Sequence, residues 1–205
     1  VAPTAQLKFA SNSNVYQIEE ISNSGNIEVN RETSLKRLDY AGWSSPVTNQ
    51  NLLAFSPNTL TNRFYEYIPT GTTTPTAYNS VNPTTNSFAT GKGYLIRAEN
   101  TMPSTTTSWN GKFTGTPNNG RINPNVIYGG SVGLGFNLVG NPYPSPINIH
   151  EFIIGNLSKI DGTLHFWTNT NAALSGTYVA NNFASRNLTG GTAAMNGSLI
   201  PDTFI

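Results

Sequence analysis

The 205-residue chain carries a formal net charge of +1, and only 10% of its residues are charged while 37% are hydrophobic and 11% aromatic. A chain so nearly neutral sets up no long-range field to attract nucleic acid or an anionic membrane, and the complete absence of cysteine excludes disulfides, zinc–thiolate sites and thiol catalysis. A domain of this size buries a core without covalent staples, and solubility rests on Asn, Thr, Ser and Gly in place of charge.

Val1-Ala2-Pro3-Thr4 is not the charged start of a signal peptide, so the chain reads as processed or excised, and no apolar run reaches the length that spans a bilayer. Residues 1–37 set short runs between Ser-Asn punctuation, Ser11-Asn12-Ser13-Asn14 and Ser22-Asn23-Ser24-Gly25-Asn26, as the last rungs of a β-solenoid would. Alternating or short apolar runs predict strands over 15–21, 27–31, 63–68, 93–98, 136–139, 164–168 and 177–180. Asn110-Gly111, Asn119-Gly120 and Asn196-Gly197 tolerate positive φ and are read as hairpin turns. Thr-, Pro- and Asn-rich stretches over 70–90 and 101–107 read as exposed loops. In Gly140-Asn141-Pro142-Tyr143-Pro144-Ser145-Pro146 three prolines at alternate positions force an extended path, with Tyr143-Pro144 a candidate cis bond. One helix is predicted over 148–156, where Asn148 caps, Glu151 takes the capping-box position, and Ile149, Phe152 and Ile153 share an apolar face. The fold class expected is all-β: an antiparallel β-sandwich of jelly-roll type over 38–205, preceded by the solenoid-like 1–37 segment.

Few residues are spaced for chemistry. Gly91-Lys92-Gly93 lacks the spacing and hydroxyl of a phosphate loop, and Gly133-Leu134-Gly135 opens no helix. His150 and His165, the two histidines, show no metal-ligand spacing, no Gly-x-Ser-x-Gly elbow accompanies them, and no pair among the ten acidic residues is signalled. No catalytic residue, cofactor or metal is therefore expected, with calcium held by carbonyls a minor alternative. Aromatics flanked by Asn, Gln and Thr are the usual equipment for stacking on sugar rings, which makes Tyr65, Tyr67, Tyr78, Tyr128, Trp43, Trp109 and Trp167 candidates. Trp43 and Trp167 read as core. Trp109 and Tyr78 are read as sitting in polar loops and, with Tyr128, are the candidate ligand-binding residues.

Six segments stand in a distinctive order: Leu38-Asp39-Tyr40-Ala41-Gly42-Trp43-Ser44-Ser45-Pro46-Val47, Phe55-Ser56-Pro57, Gly91-Lys92-Gly93-Tyr94-Leu95-Ile96, Asn118-Asn119-Gly120, Asn137-Leu138-Val139-Gly140-Asn141-Pro142-Tyr143-Pro144-Ser145 and Ile160-Asp161-Gly162-Thr163-Leu164-His165-Phe166-Trp167. Together, over about residues 26–205, they resemble a module of large surface proteins of Flavobacterium-like Bacteroidetes that precedes a C-terminal sorting domain for type IX secretion. The resemblance implies export across the outer membrane to an extracellular or cell-surface location and supplies no catalytic residue. It also implies a further strand after Pro201-Asp202-Thr203-Phe204-Ile205, so the module reads as lacking its final strand, with an open sheet edge able to take a strand from another chain. The expected role is a non-catalytic adhesion or assembly module, or a carbohydrate-binding module of a polysaccharide-degrading protein. Its partners would be other chains of a surface or secretion assembly, or glycans, with neither nucleic acid nor membrane insertion.

Overall fold

Two nine-residue strands, β2 (Ile27–Leu35) and β7 (Thr107–Gly115), pair antiparallel along their whole length, Ile27 opposite Gly115 and Leu35 opposite Thr107. In β7 Trp109, Gly111, Phe113 and Gly115 turn inward while Ser108, Asn110, Lys112 and Thr114 turn to solvent, the period of two that a half-buried strand requires. Asn110-Gly111 is thus mid-strand and no hairpin turn: the pair's tolerance of positive φ is a local option, and the long partner strand overrides it. On the other edge of β2, β1 (Leu7–Phe9) adds in parallel, Leu7 beside Ile27 and Phe9 beside Val29, a pairing allowed by the long crossover between them. The sheet is therefore not purely antiparallel.

The computed structural model describes residues 6–69, 78–128, 135–169, 182–195 and 200–201. It divides into two units, Val1–Ser145 and Pro146–Ile205. The expected strand at 177–180 and turn at Asn196-Gly197 lie outside the described residues, as do Gly133-Leu134, part of the 70–90 loop and the last four residues. Among the described residues the elements are ten strands and two helices, so the chain is mostly sheet, and no helix is long and apolar enough to cross a membrane.

The first unit holds a second sheet of β3 (Tyr40–Trp43), β4 (Phe64–Tyr67), β5 (Tyr78–Ser80) and β6 (Tyr94–Arg97), ordered β3-β6-β4-β5 and antiparallel throughout. Phe64, Tyr94 and Ile96 point from it into one core shared with Ile27, Val29 and Phe113 of the first sheet and with Leu52 and Phe55 of helix α1 (Leu52–Phe55). Asn51 caps that short helix, its side chain accepting from the Ala54 amide at 2.9 Å. Phe55 is the hub of the core. Its ring stacks on Phe113 at 4.4 Å and meets Trp43, Phe88 and Trp109 edge-on at 5.1, 5.2 and 5.5 Å, geometries favoured by the ring quadrupole.

The second unit contains helix α2 (Ile149–Asn156) and a three-stranded antiparallel sheet of β8 (Leu164–Trp167), β9 (Phe183–Arg186) and β10 (Gly191–Thr192), in the order β10-β9-β8. Asn148 caps α2 as its position predicts, accepting from the amides of His150 and Glu151 at 2.9 and 3.2 Å, and Ile149 and Ile153 are buried. Trp167 of β8 meets Phe183 of β9 at 5.2 Å.

Two expected strands do not form. Over 15–21 the alternation is present, Val15 and Gln17 half-buried and Tyr16 and Ile18 exposed, but no strand lies alongside; the Glu19 and Ile21 carbonyls accept instead from the Asn119 side chain at 2.6 and 2.9 Å. Over 136–139 pairing stops at a single bridge, Lys92 with Val139, closed by Gly93 N to Leu138 O at 2.9 Å and Gly140 N to Gly91 O at 3.1 Å, because Pro142 and Pro144 have no amide to carry it further. The Tyr143-Pro144 bond is trans.

Candidate binding face

The side of the second sheet turned away from the core is lined by tyrosine. Alternation along each strand puts Tyr40, Tyr65, Tyr67 and Tyr78 on that side, opposite in sense to Phe64, Tyr94 and Ile96. Tyr67 and Tyr78 are directly paired across β4 and β5, their rings edge-on at 5.1 Å, and Tyr40 and Tyr65 approach diagonally across β6 at 6.0 Å. Leu95 lies between Gly42 and Tyr65 in the same row, and a Cβ added at Gly42 would meet nothing within 4 Å, so the surface is open above it. All four rings are half-buried, the Tyr67–Tyr78 pair edge-on and the Tyr40–Tyr65 pair tilted.

Burial raises the phenols of Tyr67 and Tyr78, with Tyr67 adding to the effect at Tyr78. Tyr40 is pushed up to about 12, first by burial and then by the neighbouring Tyr65 phenol, against the partial opposition of the Arg63 and Arg97 guanidiniums. The Tyr65 hydroxyl donates to the Asn62 carbonyl at 3.2 Å and accepts from Arg63 Nη1 at 3.4 Å. With their pKa values raised, the Tyr40, Tyr67 and Tyr78 hydroxyls stay protonated at neutral pH.

The three residues singled out from the sequence part company. Tyr78 belongs to this face. Trp109 does not: it is on β7 and not in a loop, half-buried against Trp43 at 5.4 Å and Phe55, because the Ser and Asn flanking it are simply the outward positions of a strand. Tyr128 lies outside the sheets, 71% exposed, with Gly135 close beside its ring. Tyr65 and Tyr67, candidates for sugar stacking on composition, are brought beside Tyr78, and Tyr40 completes the set. Tyr65-x-Tyr67 carries a period-of-two signal that places both rings on one side, whereas Tyr40 is joined to them only by strand pairing. His150 and His165 occupy exposed positions of α2 and β8, and among the described residues no three His, Asp or Glu side chains gather as a metal site. The gap between Leu35, Trp43, Ile96 and Trp109 admits no water molecule, so it holds no ligand.

Residues 1–203 match a family whose description is a domain of unknown function, DUF8693. The chain belongs to that family. No curated protein and no solved structure matches it.

In this DUF8693 chain the motif segments of the first unit converge on one knot. The buried Asn118 side chain donates to the carbonyls of Ser45 at 3.3 Å and Pro142 at 2.9 Å, tying the segment after Trp43 to the proline-rich turn. The Tyr143 hydroxyl donates to the Gly120 carbonyl at 2.7 Å, and Arg31 Nη2 donates to that of Pro144 at 2.7 Å. Gly140 packs so closely on Ser44 that a Cβ there would lie 2.2 Å from the serine Cβ, which only glycine permits. Asp39 holds the Lys36 amide at 3.1 Å and is itself buried, which raises its carboxyl pKa against the lowering influence of that bond and of Lys36. These contacts hold the backbone of the first unit in place.

Proposed function

We propose that this chain is a non-catalytic extracellular module, part of a protein exported across the outer membrane by the type IX route, which adheres to its surroundings through the tyrosine face of its second sheet. The observation that carries this reading is the alignment of Tyr40, Tyr65, Tyr67 and Tyr78 on one open side of one sheet. Aromatic rings held rigid by strand pairing lose little freedom on binding and offer flat apolar area with a polar tip. Carbohydrate is the ligand such a face fits best, because sugar rings present C–H faces for stacking and hydroxyls for the phenols, and a low-charge surface neither steers nor repels them. Binding of this kind is shallow, and repetition of the module or of the ligand would strengthen it.

A role in assembly with neighbouring chains has its own support, since Tyr16 and Ile18 stand 84% and 83% exposed on one side of an extended segment, with Ile21 close by. The two sheets of the first unit, facing across one core, support a sandwich of jelly-roll type, and the in-register parallel stacking of β1 on β2 supports a solenoid-like N-terminal segment.

The test is a glycan array read with the intact chain and with Tyr67→Ala and Tyr78→Ala. Loss of signal in both variants at unchanged melting temperature is expected. Binding that survives both, or that disappears only with Trp109→Ala, would show that another surface is used.

A further inference from the structure

We propose that the corner of the tyrosine face around Tyr40 is a carboxylate-binding subsite, so that the glycan recognised is an acidic one whose uronic-acid residues place their ring on the tyrosines and their carboxylate on Arg97 and Arg63. This rests on the glycan reading of the face and names the substrate class within it.

The geometry begins with strand register. Arg97 is the direct partner of Tyr40 across β3 and β6, and its amide donates to the Arg63 carbonyl at 3.1 Å, which sets the two arginines side by side at one end of the sheet. Both share the alternation of the tyrosines, and the Arg63 guanidinium reaches the Tyr65 hydroxyl. Two cations and two phenols thus meet at one corner.

Arg97 is only 8% exposed, yet among the described residues no carboxylate pairs with it. Among the described residues the ion pairs are Lys8 with Glu28 and Lys92 with Glu66, and neither involves this corner. The acidic side chains nearest in sequence are committed elsewhere: Asp39 to the Lys36 amide, Glu99 to Asn58, and Glu66 to Lys92 on the core-facing side of the sheet. Arg97 Nη2 donates to Asn100 Oδ1 at 3.3 Å, a neutral acceptor at the long end of the range, while the buried Nε has no acceptor among the described residues. A guanidinium this deep without an anion, and with an unused donor, is costly to the fold on its own account. Its planar fork matches a carboxylate, and the Tyr40 and Tyr65 phenols beside it bring polar hydroxyls to the same corner without adding charge.

The probes are polygalacturonate, its methyl ester, a neutral galactan and a sulfated galactan, titrated calorimetrically against the intact chain and against Arg63→Gln and Arg97→Gln. Polygalacturonate is expected to bind about tenfold or more tightly than its ester, the scale of one charge-assisted contact. Arg63→Gln should bring that ratio close to one while leaving binding of the ester intact. Arg63 is half-buried, so this variant keeps the test sound should Arg97→Gln fail to fold. Equal binding of acid and ester, or a ratio unmoved by Arg63→Gln, overturns the subsite and leaves the tyrosine face standing. Equal binding of the sulfated galactan through the same arginine overturns the assignment to carboxylate. Binding of none of the four, or binding insensitive to Tyr67→Ala, removes the face itself and the subsite with it.

Discussion

Replacing Gly111 with alanine adds one methyl group to the middle of β7, and its outcome follows from where that methyl lands. The new Cβ would lie 2.9 Å from Phe55 Cζ, 2.9 Å from Trp43 Cζ3 and 3.0 Å from Phe55 Cε2. Comfortable carbon contacts begin near ~3.5 Å, so both rings must retreat by roughly half an ångström or more. They have little room to do so, since Phe55 is stacked on Phe113 and wedged among Trp43, Phe88 and Trp109. Overpacking of such a core costs about 1–3 kcal/mol, against a gain of about 0.5–1 kcal/mol from removing a strand-interior glycine. The net expectation is a loss centred on about 1 kcal/mol. Gly42→Ala, on β3, is the matched control, because its Cβ meets nothing within 4 Å and only the gain of about 0.5–1 kcal/mol remains. Urea unfolding followed by tryptophan fluorescence, with midpoints compared at a common slope, measures both. A melting shift of about 2–4 °C per kcal/mol is the corresponding thermal readout. Opposite signs at the two positions are required. A Gly111→Ala chain as stable as the parent, or two shifts in the same direction, would show that the aromatic cluster is not packed down onto β7 as described.

Asn118→Ala removes both donors from the knot and strands the Ser45 and Pro142 carbonyls, so it should cost about 1–3 kcal/mol and speed amide exchange around Tyr143, measured by hydrogen–deuterium exchange. Tyr40 offers a pH test. Its folded phenol ionises near 12 against about 10 in the unfolded chain, so its neutral form is the one the fold prefers; stability is intact below pH 10 and falls as pH rises from about 10 to about 12. Tyr40→Phe should flatten that part of the curve in urea titrations run between pH 9 and 12, leaving the smaller contributions of Tyr67 and Tyr78. An unchanged slope would mean that the phenol is not buried beside Tyr65.

Helix α2 was legible in the sequence almost to the residue, because its signals are local: a capping Asn148, Glu151 three positions on, and apolar residues at helical spacing. Strands β4, β6 and β8 were legible for the same kind of reason. What failed were positions where a local signal had to be completed by a distant partner. Residues 15–21 alternate as a strand should, but a strand exists only when another backbone lies beside it. Asn110-Gly111 spells a turn, and nine partner residues in β2 hold it straight. The candidate site divides along the same line, since Tyr65, Tyr67 and Tyr78 could be named from composition while Trp109 was misplaced by its polar neighbours.

By itself the sequence determined the class of this protein: little charge, no cysteine, alternation in place of helical periodicity, and turn residues frequent enough to keep the strands short. These are properties of composition and of neighbours along the chain, which need no long-range contact to be read. Only the tertiary structure decided which aromatics became core and which became surface, because a strand offers two equivalent sides and register with its partner selects between them. The pairing of Tyr40 with Arg97, far apart in the chain, is the case in point: neither residue signals the other, and hydrogen bonding between β3 and β6 is what sets phenol beside guanidinium.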